Sequence, residues 1–419
     1  MRFSIEIGRL RAVLVALVAA LSLVGSSASA QETCVSCHST QQDLRLRDPV
    51  ERLRGSVHDL AMGCSGCHGG RGNEPTVQAH DLSVGFVARP DPATVADRCG
   101  TCHADARFIR RHRDDLPTDQ LALFHADSHG LALAQGNLAA PSCLGCHGSH
   151  DVRAPNDPAS RVARRRQHET CGGCHSDPAR MAGTRLPTNQ AALWAESVHG
   201  RAVLAHGSSS APTCAGCHGA HGEYREAGGA EGRCRHCHEA EAEAFDRSPH
   251  ASAYRRLGFS GCVACHGSHD VREANGALGT AGGMGVCRRC HGEGRDSDGV
   301  ARRIAAEAER ARRDLGQARA AVQAMEAAGL RVPAVKTLVD EAAQADLRLR
   351  VAMHALDEGV AREAAAAVSR PAQRARELAR HARERDANGR RAWLVALPPL
   401  AILAALLLLK IRQIDRKRG

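Results

Sequence analysis

Hydrophobic positions fall in three separate places along the chain. The first is an apolar run over residues 12–25, preceded by Arg2, Arg9 and Arg11 and followed by the small residues Ala28, Ser29 and Ala30. That order predicts an export signal over 1–30, with an apolar segment too short to span a bilayer. The second begins only after about residue 298, where apolar residues take helical spacing. Ile304, Ala308, Ala311, Leu315, Ala318, Val322 and Met325 form one stripe; Val335, Leu338, Ala342, Ala345, Leu349, Ala352 and Leu356 form another. Gly329 and Pro333 separate the stripes, so residues 298–391 predict an α-helical hairpin or stalk, then a helix from about Pro371 towards the membrane. His354 lies along the second stripe and reads as an interfacial core histidine. The third place is residues 392–409, uncharged throughout, which predict one transmembrane helix with Trp393 at an interface. Lys410, Arg412, Arg416, Lys417 and Arg418 then form a basic cytoplasmic tail over 410–419.

The remaining stretch, 31–297, has a different character. Of 419 residues, 18 are Cys and 24 are His, while aromatic residues make up 2%. So few rings argue against a large enzyme core built from side chains, because aromatic groups supply much of the buried area in such cores. Charge is also uneven. Residues 31–297 sum to −1, whereas 298–391 carry +5 and 410–419 carry +4 of the overall +10. The basic balance therefore belongs to the stalk and tail, and no nucleic-acid partner is expected.

Every cysteine falls in the pattern C-x-x-C-H. The nine copies are Cys34, Cys37 and His38; Cys64, Cys67 and His68; Cys99, Cys102 and His103; Cys143, Cys146 and His147; and Cys171, Cys174 and His175. They continue as Cys214, Cys217 and His218; Cys234, Cys237 and His238; Cys262, Cys265 and His266; and Cys287, Cys290 and His291. This is the attachment signature of c-type haem. Two thiols three positions apart can form thioethers to the two vinyl groups of one porphyrin, and the adjacent His comes under the ring as the proximal iron ligand. Zinc ribbons need such units in pairs, and neither zinc nor a disulfide scaffold calls for His after every second Cys. The expectation is nine covalent haem c groups, whose porphyrins fill the interior of 31–297.

Two further motifs recur. Ser-x-His occurs at His58, His199 and His250, and a shifted form, Asp127-Ser128-His129, gives His129. Cys-His-Gly-x-His places His150, His221 and His269 just after an attachment site, with Asp151 and Asp270 following two of them. Together they define a four-fold internal repeat, Ser-x-His, C-x-x-C-H-G-x-H, C-x-x-C-H, behind one additional haem site. The first repeat lacks the G-x-H histidine, and His80 stands in for it. These eight histidines are candidate distal iron ligands. The ninth is left open among His112, His125, His168, His206, His236 and His354, as is the matching of distal histidines to haems.

The tandem blocks resemble the doubled-CxxCH multihaem cytochrome c superfamily. That resemblance implies a mainly α and irregular fold with few or no strands, organised by closely packed haem pairs. It also implies electron transport between a membrane quinol-oxidising or cytochrome b-type partner and soluble or outer-membrane cytochromes. The signal and span together place the haem domain in the periplasm, held by the cell inner membrane. The competing expectation is an oxidoreductase for a small nitrogen or sulfur compound at one five-coordinate haem, like hydroxylamine oxidoreductase or tetrathionate reductase. No C-x-x-C-K occurs, unlike the pentahaem nitrite reductases, and Tyr224 and Tyr254 are the only tyrosines available to a polar pocket.

Overall fold

The computed structural model of the chain describes residues 33–58, 63–222, 229–272, 285–288, 290–291, 296–331 and 333–418. The expected export signal lies outside them. All regular structure among the described residues is helical, with no strand. The chain divides into two compact units, Met1–Tyr224 and Arg225–Gly419, so the last three C-x-x-C-H motifs share a unit with the stalk.

Among the described residues the first unit is built from short helices, of which the longest, Pro92–His103, has 12 residues. Helices of that length are marginal on their own, and their stability must come from what they pack against. Side chains provide little of it. The buried apolar residues described here are Val50, Val95, Ala96, Ile109, Leu133, Ala163, Trp194 and Val203, too few for a core of this length. Side chains alone therefore do not account for the stability of these short helices.

The second unit contains the Glu239–Asp246 and Pro249–Leu257 helices and three long ones, Asp296–Ala327, Pro333–Ala352 and Glu358–Arg418. The long helices form an alanine-rich bundle whose core joins Ala308, Ala311, Leu315, Ala318 and Met325 to Val335, Ala342, Ala345 and Leu349. Both expected stripes pack inward, except that Leu356 is 38% exposed. The third helix starts at Glu358 rather than near Pro371. Ala361, Ala365, Val368, Ala372, Ala375 and Ala379 are all buried, a stripe that runs through Pro371. Burial along that face outweighs the loss of one backbone donor, which costs about 3 kcal/mol in a helix interior. The same helix continues into the apolar segment, which is long enough to cross a membrane and has none of its surface buried by the rest of the chain.

Candidate haem-ligand site

Each attachment motif lies on or beside a helical turn, as in Thr33–His38, Gly63–His68, Cys143–His147, Cys214–His218 and Gly261–His266. Positions i, i+3 and i+4 share one helix face, so both thiols and the histidine converge. All eighteen cysteines are free of disulfides. Thiols of successive motifs meet. Cys99 hydrogen-bonds Cys143, Cys171 bonds Cys214, and Cys234 bonds Cys262. Those bonds, together with burial, push the Cys99, Cys171 and Cys262 thiols well above the usual range. Burial, with a smaller contribution from the Cys171 thiol nearby, raises Cys146 to about 11. The contacts join the end of one sequence repeat to the start of the next.

The Ser-x-His motif is a helix start. Ser197 caps the Val198–Leu204 helix, accepting from Gly200 N at 3.0 Å, and this places His199 in the first turn. Asp127 does the same for Ser128–Ala134, accepting from Gly130 N at 2.8 Å, with His129 in the first turn. The shift seen in that repeat is thus resolved: Asp127 occupies the serine position, since either residue can accept from a first-turn amide. Ser56 accepts from His58 N at 3.2 Å, and Ser248 precedes the Pro249–Leu257 helix that carries His250. Gly130 and Gly200 sit where an added Cβ would come within 2.0 and 1.9 Å of a backbone oxygen, so the histidine-bearing turns pack directly on the preceding helices.

The glycine of Cys-His-Gly-x-His is a helix stop. Gly148 has φ 83 and ψ −177, Gly219 has φ 84 and ψ 167, and Gly267 has φ 79 and ψ −177. Only glycine enters that region readily. The chain turns sharply there and carries His150, His221 and His269 away from the motif they follow. His269 is half-buried and His199 lies in its capped turn; each has interactions of its own.

Most of the predicted ligands are brought together in twos. His38 faces His80 with ring centres 5.9 Å apart, His58 faces His103 at 6.0 Å, and His68 faces His150 at 5.9 Å. His129 faces His175 at 6.1 Å, His147 faces His221 at 5.8 Å, and His250 faces His291 at 5.7 Å. His354, expected in the stalk core, is instead half-buried beside the bundle and faces His266 at 6.0 Å. The matching follows a rule. The Ser-x-His histidines His58, His129 and His250 each skip the nearest motif and meet the second of their repeat, whereas the G-x-H histidines His150 and His221 reach back to the first motif of the repeat before. His80 obeys the second rule by meeting His38.

Ring inclination separates most of the same pairs. The two G-x-H pairs are nearly parallel, at 8° for His68–His150 and 6° for His147–His221, with His266–His354 at 28°, whereas His38–His80 is steep at 60°. The Ser-x-His pairs are steep, at 81° for His58–His103, 59° for His129–His175 and 87° for His250–His291.

These distances suit one metal ion between each pair. Metal–imidazole bonds are about 2 Å, so two trans imidazoles place their nitrogens about 4 Å and their ring centres about 6 Å apart. His250 Nε2 and His291 Nε2 are 3.4 Å apart. Among the described residues no group of three or more His, Cys, Asp or Glu could hold a bare ion. Two axial nitrogens per site are what remains to be supplied when a porphyrin provides the equatorial four, so the residues fit haem. Burial lowers the pKa of His58, His103, His147, His150, His175, His221, His250, His266 and His269, which favours the neutral, coordinating imidazole. The His68 Nδ1–H donates to Val87 O at 2.8 Å, leaving Nε2 to face its partner.

Other histidines are otherwise engaged. His112 packs on Phe108, His125 meets Asp97 at 3.1 Å, and His168 packs against Trp194. Comparisons with protein-family models, curated proteins and solved structures find no match to this chain.

Proposed function

We propose that this chain is a membrane-anchored multihaem c-type cytochrome that carries nine covalent haems and transfers electrons. The observation that carries this reading is the set of facing imidazole pairs, each joining a C-x-x-C-H histidine to a second histidine at the separation one metal needs. Bound haem supplies a reversible one-electron couple whose potential is tuned by its ligands and surroundings. The chain's own residues do the rest. Cysteine pairs would hold each haem covalently, facing imidazoles would ligate its iron and leave no place for a substrate, and the packing that brings Cys99 to Cys143, Cys171 to Cys214 and Cys234 to Cys262 would set neighbouring haems side by side. Iron closed to substrates favours a carrier over an enzyme for small nitrogen or sulfur compounds.

The apolar segment and basic tail support anchorage in the cell inner membrane with the haem part in the periplasm. From there the protein exchanges electrons with a quinol-oxidising or cytochrome b-type membrane partner and with soluble or outer-membrane cytochromes.

The test is full-length protein matured with haem, assayed by haem stoichiometry and electron paramagnetic resonance. Nine haems per chain, all low-spin when oxidised, is the expected result. Far fewer haems, or native helix content in a variant lacking the motif cysteines, would overturn the assignment. A high-spin signal from the wild type would transfer the reading to the enzyme.

A further inference from the structure

We infer that His354, at the corner between the second and third stalk helices, is the distal iron ligand of the His266 site. The inference rests on the haem assignment above and adds a ligand that neither repeat motif supplies. His266 belongs to the last C-x-x-C-H-G-x-H block, and no later block exists to reach back to it. The stalk fills that role.

Four observations on separate residues converge on this corner. The two rings face one another with centres 6.0 Å apart, the separation of the other facing pairs, and planes 28° apart. The His354 Nδ1–H donates to Arg350 O at 3.0 Å, which fixes the tautomer and leaves the Nε2 lone pair available, as Val87 O does for His68. The backbone is strained where it must present that ring. The Met353–Ala355 turn is closed by Leu356 at φ 51, a left-handed conformation that is unusual for a bulky residue. The corner is also braced, because Val360 N donates to Asp357 at 2.9 Å and Arg303 Nε donates to Glu358 at 2.7 Å.

Small residues permit the approach. Ala242 and Ala244, on the helix that follows His238, are buried, as is Ala355 next to His354. A cleft of about 560 Å³, lined in part by Ala240, Ala244, Ala352 and Ala355, opens beside the turn. The remaining histidine of the stalk, His381, is engaged with Glu384 at 3.4 Å, near the membrane end of the bundle, and is the natural control.

The test is His354→Ala in the full-length, haem-loaded protein, with His381→Ala alongside. The variant should keep nine haems and its helix content, convert one iron in nine to high-spin, and bind one carbon monoxide per chain when reduced. His381→Ala should keep nine haems, stay low-spin throughout and bind no carbon monoxide. His354→Met should restore a low-spin site and raise the potential of one haem, since a thioether ligand favours the reduced iron. Should His354→Ala stay entirely low-spin with nine haems, the ligand assignment is wrong while the cytochrome reading survives. Wild-type protein without covalent haem would remove the reading itself.

Discussion

At the residue scale, the two recurrent motifs are stereochemical devices before they are ligand sources. At Asp127 and Ser197 the first residue of the motif starts a helix by accepting a first-turn amide, which fixes the turn that carries His129 and His199. The glycine after the attachment histidine ends one by entering a backbone region closed to other residues. Gly148→Ala should be severe, because φ 83 and ψ −177 lie in a region essentially confined to glycine, and the Asp151 carboxylate, 2.5 Å from the added Cβ, would also have to shift. A loss of about 3 kcal/mol is expected. Gly207→Ala, at φ +66 in open space, should cost only about 1 kcal/mol. Denaturant midpoints of the two holo-proteins check the contrast, and equal losses would show that the clash at Gly148 does not matter.

At the element scale, the units are stabilised in different ways. The stalk has a side-chain core of its own, with Leu315, Ala311 and Ala372 all but inaccessible to solvent. Truncating Leu315→Ala should cost about 2–5 kcal/mol, while enlarging Ala311→Leu should cost about 1–3 kcal/mol by overpacking. Helix melting followed by circular dichroism reports both, and a neutral Ala311→Leu would mean that the helices separate more easily than their alanine contacts imply. The short helices of the first unit have no comparable core, so their stability should track haem attachment rather than any single apolar contact.

At the scale of the whole molecule, the ring inclinations predict two electronic classes of site. Nearly parallel axial imidazoles split the iron d orbitals differently from crossed ones, so the low-spin resonance of the oxidised protein should contain two families of signal. A single uniform family would show that the rings rotate to a common angle once loaded. What could be read beforehand was whatever is encoded locally. Thioether chemistry needs two thiols and a histidine within five residues, so the nine C-x-x-C-H motifs stand out without a fold. An amphipathic stripe and an apolar run likewise announce a stalk and a span, although the stripe that carries the third helix through Pro371 was hidden by the proline. Pairing was not local. His250 and His291 are 41 residues apart, and His68 meets a histidine from the next repeat. Along the chain, His354 looked like one more residue on an alanine stripe, and His112, His125 and His168 looked equally eligible. The choice among them depended on which helix ends the fold brings together and which imidazoles Asp97, Phe108 and Trp194 already engage. Short-range spacing and periodicity therefore determined the C-x-x-C-H motifs, the helical stalk and the apolar segment. The pairing of histidines is a long-range contact between imidazoles with identical local chemistry, and only the tertiary structure could decide it.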